Sequence, residues 1–405
     1  MEIIFAVSAF VFFLMFVFVV INTILISGYA LLRKKTVAKG PLPGVSVLIP
    51  AYNEEKNIRE TLAALVTSDY PKNKLDIIVI DDGSTDKTIE IVKGFESVRL
   101  VRQKHKGKSE ALNAAVKISK FDFILTIDAD TVLRKNAIRE VIKPFSDKKV
   151  GAVNGVLGIK KRNSLLNVFQ EVEFLYLSLT MEAYSYFFKK PLKIWGAFVC
   201  YRKNVIKKAG GFEKTYTEDF EILMQMTKLG YRTATTGEAF GFTSGQKTVD
   251  EFFEQRNRWY MGNLQSLAKA RRSLYLSAFS IFIIFYFVVS LPLFIYHIAY
   301  WIPQNSATAF DLIFYFVRWF TITGPVYMIY MIPQWGINLT YIFGVISGIL
   351  SFILTIWALK RYNQTDFRRI LATTIYFPYT LFLSVIAFVS LLTFRPSKKA
   401  YFIRK

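Results

Sequence analysis

The sequence predicts an α/β domain that lies between membrane-spanning helices. Four long stretches carry no charged side chain, and each meets or exceeds the roughly 20 apolar residues that a helix needs to cross a bilayer core. These stretches are residues 3–32, 273–310, 319–359 and 370–394. The charged block between them, residues 42–272, alternates short apolar runs with helix-favouring segments, which is the pattern of a sheet covered by helices.

The first uncharged stretch predicts a permanent membrane anchor, assigned to residues 1–35. It is too long and too aromatic for a cleaved signal peptide, and it lacks a small-residue cleavage site. Arg33, Lys34 and Lys35 follow it at once, and basic residues favour the cytoplasmic side of a membrane. We therefore expect the N-terminus outside and the charged block in the cytoplasm.

Five apolar runs in the block predict the strands of a parallel sheet. They are Val45–Ile49, Ile77–Ile80, Val98–Val101, Phe123–Ile127 and Val150–Val153. The helical stretches between them are roughly 54–68, 86–95, 108–119 and 135–145. Buried strands that alternate with helices are typical of parallel α/β sheets, in which ligands bind beyond the carboxyl ends of the strands. Any chemistry is therefore expected just after these runs.

The later parts of the chain are predicted to meet the membrane. Residues 164–190 mix aromatic and acidic side chains at helical spacing, which fits a core-facing amphipathic helix and an interfacial helix equally well. Residues 273–395 predict three or four spans, and residues 396–405 form a basic tail. The spans are expected at about 273–300, 311–332, 339–359 and 371–394. The sequence thus predicts a multi-pass protein of the cell membrane.

Composition narrows the possible partners. Lysine and arginine number 52 against 30 aspartate and glutamate residues, a net charge of +22, which beside a membrane favours anionic lipid headgroups and anionic small substrates. No nucleic-acid-binding signature accompanies this charge, so nucleic acid is not expected as a partner. The only histidines are His105 and His297 and the only cysteine is Cys200, which argues against a histidine-rich metal site, a Ser-His-Asp triad and a disulfide scaffold.

Carboxylates follow two of the predicted strands. Asp82, before Gly83, could accept hydrogen bonds from a nucleobase N–H or a ribose hydroxyl, although the same turn could be a plain helix cap. Asp128 and Asp130 leave a buried strand two residues apart, which is costly unless a cation neutralises them. Oxygen ligands suit Mg²⁺ or Mn²⁺, which would bridge the two acids to a substrate diphosphate.

Three further motifs allow both a functional and a structural interpretation. Lys108 begins a predicted helix, where a cation opposes the helix dipole unless an anion binds there. Thr217-Glu218-Asp219 enters a helical run, and Gln255-x-x-Arg258-Trp259 precedes the second membrane region. Acids are good first-turn residues and Arg-Trp pairs are ordinary interfacial anchors, so either motif could be structural.

As a set, these motifs resemble the membrane-embedded branch of the family 2 inverting glycosyltransferases, which includes processive synthases of cellulose, hyaluronan and poly-N-acetylglucosamine. The resemblance covers about residues 43–265. It implies a cytoplasmic GT-A (Rossmann-like) glycosyltransferase domain with flanking transmembrane helices. It further implies that Asp219 is the catalytic base and that Asp128 and Asp130 hold the diphosphate with Mn²⁺ or Mg²⁺.

The resemblance also implies two sets of binding residues. The nucleotide-sugar donor, with uracil as the usual base, would be bound by Tyr52, Glu54, Asp82, Lys108, Asp128, Gln255 and Arg258. The acceptor would be bound by Gly196, Glu218 and Trp259. Family members often carry an acidic residue and a proline shortly before the last motif, but Gly241–Gln246 carries neither, so the sugar is left unassigned.

Three functions were weighed against these motifs. A processive synthase would extend a growing β-glycan and conduct it outward through the helices that follow Gln-x-x-Arg-Trp. A single-addition transferase, similar to ceramide glucosyltransferases or to enzymes acting on polyprenyl phosphate, would instead use a lipid acceptor. A transporter or receptor would leave the motif acids and bases unexplained. The sequence favours the processive synthase, with the glycolipid transferase as its alternative.

Overall fold

The computed structural model describes residues 2–33, 40–160, 164–189, 195–269 and 339–395, with the single positions 308, 329 and 333. The predicted spans at 273–300 and 311–332 and the basic tail lie outside the described residues.

The chain divides into two compact units. Among the described residues, the sheet unit contains 28–33, 40–160, 177–189 and 195–245, and the helical unit contains 2–27, 164–176, 246–269 and 339–395. Two helices, α1 (Glu2–Leu32) and α6 (Leu165–Phe188), contribute residues to both units.

The sheet unit contains one eight-stranded sheet. Its strands are β1 (Val45–Ala51), β2 (Leu75–Asp81), β3 (Val98–Arg102), β4 (Phe123–Ile127), β5 (Val132–Leu133), β6 (Val150–Lys160), β7 (Phe198–Arg202) and β8 (Arg232–Ser244). Its other helices are α2 (Ile58–Val66), α3 (Thr88–Lys93), α4 (Lys108–Ile118), α5 (Ala137–Ile142), α7 (Lys203–Lys208) and α8 (Glu218–Lys228). All five predicted strands and the four helices predicted between them are confirmed, whereas β5, β7 and β8 were not predicted.

The sheet is mixed, so the prediction of a wholly parallel sheet is wrong. The strand order is β3-β2-β1-β4-β7-β6-β8-β5. Strands β3, β2, β1 and β4 pair in parallel, but β7 runs antiparallel to both β4 and β6, and β5 runs antiparallel to β8. The direction of β7 depends on which end of its neighbouring strands the chain reaches after α6. The composition of β7 does not encode that end.

The parallel half of the sheet provides a switch point for ligand binding. From β1 the chain proceeds to β2 and β3 on one side, and it then returns to place β4 on the other side of β1. Connections that diverge from neighbouring strands leave a crevice at their carboxyl ends. The residues just after β1, β2 and β4 therefore converge on this crevice, as the sequence predicts.

The central strands of this half, β1, β2 and β4, are mostly apolar because both faces of the sheet are covered. Leu48, Ile78, Ile80 and Ile124 are almost fully buried and pack in one cluster with Leu112 of α4. Continuous apolar runs are the expected signature of strands that have no solvent-facing side.

The helical unit also contains α9 (Val249–Lys269), α10 (Leu339–Arg361), α11 (Phe367–Thr374) and α12 (Phe377–Thr393). Within the described residues, two helices are long and apolar enough to cross a membrane, Phe12–Leu32 and Ile342–Arg361. Helices α11 and α12 meet at a 62° bend, so the predicted span at 371–394 is not one straight helix. Pro378, in the first turn of α12, cannot donate a backbone hydrogen bond and favours this break.

The predicted helix at 164–190 is confirmed as α6. Its side chains are buried over most of its length, including Glu171, Glu173 and Glu182. This burial favours the core-facing alternative over a helix that lies with one face in the membrane interface.

Candidate active site of the sheet unit

Asp82 organises the loop that follows β3. Its Oδ1 accepts hydrogen bonds from Gln103 Nε2 at 2.6 Å and from the Lys106 amide at 2.9 Å. Its Oδ2 accepts from the Gly107 amide at 2.9 Å and lies 2.9 Å from His105 Nδ1. The loop thus donates three hydrogen bonds to the carboxylate, which has about four lone-pair sites. Asp82 is therefore a structural centre of the loop as well as a candidate ligand for a base.

Tyr52 and Glu54 lie in the turn after β1. The ring of Tyr52 stacks on that of His105, with 4.3 Å between their centroids. Glu54 lies at the start of α2, where its backbone oxygen accepts from the Ile58 amide at 3.0 Å and its carboxylate accepts from Asn57 Nδ2 at 3.0 Å. Tyr52 is thus adjacent to the loop that Asp82 holds. The hydrogen bonds of Glu54 given above stabilise the turn after β1.

Lys108 lies at the centre of a cluster of acids. Its Nζ donates to Asp128 Oδ1 at 2.6 Å and lies 3.2 Å from Glu218 Oε1. Burial by itself would lower the pKa of Lys108, but Asp128, Glu218 and Asp219 outweigh that effect and hold its pKa above the ordinary value. The structure therefore brings together the residue at the start of α4, the first acid after β4 and the first turn of α8.

Asp128 and Asp130 differ in their surroundings. The side chain of Asp128 is 37% exposed, whereas Asp130 Oδ1 accepts from Thr243 Oγ1 at 3.2 Å. Burial and the charge of Asp128 raise the pKa of Asp130, an effect opposed by Lys160 and by the hydroxyls of Thr243 and Ser244.

These two carboxylates fit a divalent cation. A metal ion would relieve the repulsion that raises the pKa of Asp130, and carboxylate oxygens are the ligands that Mg²⁺ and Mn²⁺ prefer. Among the described residues no group of three histidine, cysteine or acidic side chains surrounds a common point. Substrate phosphate and water would therefore complete the coordination of such an ion, as is usual for Mg²⁺.

Asp219 is a carboxyl group with an unusual pKa. Burial and the neighbouring charge of Glu218 raise its pKa from 3.8 to about 6, while Lys108 opposes the shift. The predicted acceptor loop lies directly against this carboxyl. A Cβ at Gly196 would lie 2.2 Å from Asp219 Oδ2, so only glycine fits at that position.

Trp195 anchors the start of the segment that carries Gly196, and the sequence did not predict this role. Its backbone N–H donates to Asn154 Oδ1 at 2.9 Å, and its indole Nε1 donates to Ser178 Oγ at 3.0 Å. The side chain is almost fully buried. A tryptophan directly before Gly196-Ala197 was the available signal, but its partners lie far away in the sequence.

The Gln-x-x-Arg-Trp motif belongs to the helical unit, where α9 carries it. Gln255, Arg258 and Trp259 are all partly buried. Gln255 Oε1 accepts from Arg256 Nη1 at 2.6 Å, and the ring of Trp259 lies near that of Phe174, with 6.1 Å between centroids. Arg258 follows Gln255 by three residues on α9, so the two side chains lie on one face of the helix.

Comparison with known proteins identifies the family. Residues 43–262 match the family described as Glycosyltransferase like family 2. The chain is 36% identical over 233 residues to the probable glycosyltransferase YdaM of Bacillus subtilis (strain 168), which covers 55% of this chain and 56% of the relative. It is 28% identical over 247 residues to the poly-beta-1,6-N-acetyl-D-glucosamine synthase of Staphylococcus aureus (strain COL), which covers 60% of each. The matches thus span little more than half the length of these curated relatives.

A solved structure shows the same fold. The mannosyltransferase PcManGT from Pyrobaculum calidifontis, in complex with GDP-Man and Mn²⁺, superposes with a TM-score of 0.59 over 89% of this chain and 98% of its own. The sequences are 19% identical, so this likeness concerns the fold alone. The family match covers more than half of the chain and includes the mixed sheet and every motif described above. The chain belongs to glycosyltransferase family 2 and has the GT-A fold.

Proposed function

We propose that the protein transfers a sugar from a UDP-sugar donor with inversion at the anomeric carbon, and that it extends a β-linked polysaccharide at the membrane. One observation supports the transfer above all others. Asp219, whose pKa is raised to about 6, belongs to the same charged cluster as Lys108 and Asp128. The proposed base and the proposed cation for the diphosphate thus lie in the first turns of two helices, within one charged cluster.

Asp219 is the proposed base. An acceptor hydroxyl attacks the anomeric carbon from the face opposite the leaving nucleoside diphosphate, and Asp219 takes its proton. A carboxyl with a pKa of about 6 is ionised at neutral pH and is more basic than an ordinary aspartate, which suits the role. General base catalysis contributes typically about 10²–10⁴-fold. A single displacement converts an α-linked donor into a β-glycoside.

Lys108 is the proposed cation for the diphosphate. It already lies against two acids, so phosphate oxygens can replace one of them without moving a charge out of water. Bound Mn²⁺ or Mg²⁺ would supply further neutralisation of the leaving group's charge at Asp128 and Asp130. The chain's own contribution is to hold Lys108 protonated and Asp219 ionised beside it.

The remaining motif residues complete the proposal. Tyr52, Glu54 and Asp82 contact the nucleoside, and Gln255 and Arg258 contact the diphosphate. Gly196, Glu218 and Trp259 contact the acceptor, since sugar rings present C–H faces that pack on an aromatic side chain such as Trp259. These assignments are supported by the order of the motifs along the chain.

The proposal places the charged block in the cytoplasm of a multi-pass protein of the cell membrane. Arg33 directly follows the apolar segment Phe12–Leu32, and basic residues favour the cytoplasmic end of a span. A nucleotide sugar is charged and does not cross a bilayer unaided, so the proposed active site must lie on the same side of the membrane as the donor.

Product analysis tests the proposal. Detergent-purified protein is incubated with a panel of nucleotide sugars and Mn²⁺, and the products are sized and partitioned between aqueous and organic phases. We expect water-soluble oligomers or polymers from one or two donors without added lipid. Trp259→Ala should shorten the product, whereas Trp259→Phe should retain most of its length because the aromatic surface remains. A single sugar on an extractable lipid would contradict processive synthesis and favour the glycolipid alternative.

A further inference from the structure

Arg256 lies inside the Gln-x-x-Arg-Trp segment at one of its unspecified positions. It directly follows Gln255 on α9 and precedes Trp259 by less than one helical turn. It is 1% exposed, in contrast to the partly exposed motif residues on either side. A buried arginine at a position that the motif does not specify requires a separate explanation.

Arg256 contacts two of the proposed substrate-binding residues. Its Nη1 donates to Gln255 Oε1 at 2.6 Å, and its guanidinium carbon lies 4.2 Å from the centroid of the Trp259 ring. Arginine can only donate hydrogen bonds, so the atom of Gln255 that faces it must be the amide oxygen. The amide nitrogen of Gln255 is thereby directed away from Arg256, and one face of the Trp259 ring is covered by a planar cation.

Arg256 is itself held from two other helices of the helical unit. Its Nη2 donates to Glu173 Oε2 on α6 at 2.6 Å and lies 3.2 Å from the Tyr379 hydroxyl on α12. The Tyr379 hydroxyl also hydrogen-bonds Glu173. The planar fork of an arginine with several fixed partners has little freedom to rotate.

We propose that Arg256 is a positioning residue that orients the Gln255 amide and the Trp259 ring, and that Glu173 and Tyr379 hold it for that purpose. The inference rests on the proposed roles of Gln255 and Trp259 in transfer. Arg256 does not contact substrate. Its effect on the reaction is transmitted through the two side chains that it touches.

A second buried arginine in the same unit provides a matched control. Arg369 on α11 is 3% exposed and pairs with Glu171 on α6 through Nε at 2.8 Å and Nη2 at 3.0 Å. Its other side-chain bonds go to Asp366 and Gln364. In the described part of the chain, the hydrogen bonds and ion pairs of Arg369 go to Glu171, Asp366 and Gln364, none of which belongs to the Gln-x-x-Arg-Trp motif. Both arginines therefore hold α6, and Arg256 also hydrogen-bonds Gln255 of the motif.

The test compares Arg256→Lys with Arg369→Lys in the full-length, detergent-purified protein. Each substitution keeps the charge and removes the planar fork, so the two should lower the thermal unfolding midpoint by similar amounts. We expect Arg256→Lys to reduce kcat/KM for transfer at least about tenfold and to shorten the product, while Arg369→Lys stays within about twofold of the wild type. Equal losses of transfer in the two variants, in proportion to their losses of stability, would overturn the proposal.

A double substitution tests whether Arg256 acts through Trp259. If it does, Arg256→Lys should have little further effect on product length in a Trp259→Ala protein, whereas Arg369→Lys should have the same effect in both backgrounds. Independent effects of Arg256→Lys and Trp259→Ala would contradict the inference. If Trp259→Ala and Gln255→Ala both transfer sugar normally, the proposed roles of those two residues fail instead, which is a distinguishable result.

If Arg256→Lys does not purify as a monodisperse protein, Tyr379→Phe provides a second test of the proposal. It removes one hydroxyl and leaves the ion pair between Arg256 and Glu173. A reduced kcat/KM with a shorter product and an unchanged unfolding midpoint would support the proposal. Unchanged transfer by Tyr379→Phe would count against it.

Discussion

Lys108 in the sheet unit forms ion pairs with two acids, and Arg256 in the helical unit forms an ion pair with one. The two cations differ in their exposure to solvent. The side chain of Lys108 is 36% exposed and that of Arg256 is 2% exposed. Lys108 is a flexible point charge at the start of α4, whereas Arg256 is a planar group enclosed by aromatic rings and held by Glu173.

The difference indicates what each cluster can do. Carboxylates around a half-buried lysine can be exchanged for phosphate oxygens at lower cost than in a fully buried ion pair, because water still reaches the groups during the exchange. A sealed ion pair cannot be opened without leaving a charge in an apolar environment. We conclude that the first arrangement suits substrate binding and the second suits a constant geometry.

The largest expected effect is a difference in the free energy of unfolding when each of the two cations is replaced. Arg256→Met leaves Glu173 as an unpaired buried charge and should lower the free energy of unfolding by about 3–5 kcal/mol. Lys108→Met removes a partly exposed pair and should change the free energy of unfolding by no more than about 1 kcal/mol. Chemical denaturation in detergent measures both, and equal losses would contradict the comparison.

The next effect concerns the base. Asp219→Asn keeps the size and polarity of the side chain but removes its ability to accept a proton, so kcat should fall by at least about 10². Binding of nucleoside diphosphate, measured by titration calorimetry, should persist because the charge of Lys108 remains. Near-normal turnover by this variant would exclude Asp219 as the base.

A smaller effect is expected at the proposed metal site. Asp130→Ala should reduce the affinity for nucleoside diphosphate by at least about tenfold, or about 1.4 kcal/mol, when Mn²⁺ is present. The affinity measured in chelator should not change, since Lys108 binds phosphate without the ion. If the variant retains the metal dependence of the wild type, Asp130 is not a ligand.

The smallest effect is the pH dependence of transfer. With the pKa of Asp219 at about 6, kcat should fall about fourfold between neutral pH and pH 5.5 as this carboxyl gains a proton. Unfolding through Asp219 cannot cause this decline. A carboxyl whose pKa is raised on folding, here from 3.8 to about 6, stabilises the folded state at low pH and loses that contribution as the pH rises. A profile that is flat to pH 5 would contradict the assignment.

Strand composition explains which parts of the fold could be predicted. Strands β1, β2, β4 and β6 contain apolar runs because helices cover both faces of the sheet. The long strand β8 reads Arg-Thr-Ala-Thr-Thr at its start and alternates buried and half-buried positions, so it carries no such run. It pairs with β6, from which β7 and three helices separate it in the chain, and local sequence does not encode such a distant pairing.

The candidate site shows the same division. Asp82, Asp128 and Lys108 could be predicted because they stand directly after strands or at the start of a helix, where polar residues are noticeable. Trp195 could not, since its partners Asn154 and Ser178 come together only in the folded chain. The multiple hydrogen bonds to Asp82 could not be anticipated either, because they depend on the path of the loop at 103–107.

The sequence by itself determined the α/β class, the apolar helices and the set of charged residues available for chemistry, because apolar runs and motif spacing are local properties of the chain. Only the tertiary structure decided which charged side chains are buried and which of them pair with one another. It made β7 antiparallel and raised the pKa of Asp219 by burial. It also placed Arg256 against Glu173 and Tyr379, which are distant in the chain. Burial and pairing depend on which segments meet in three dimensions, and no single segment contains that information.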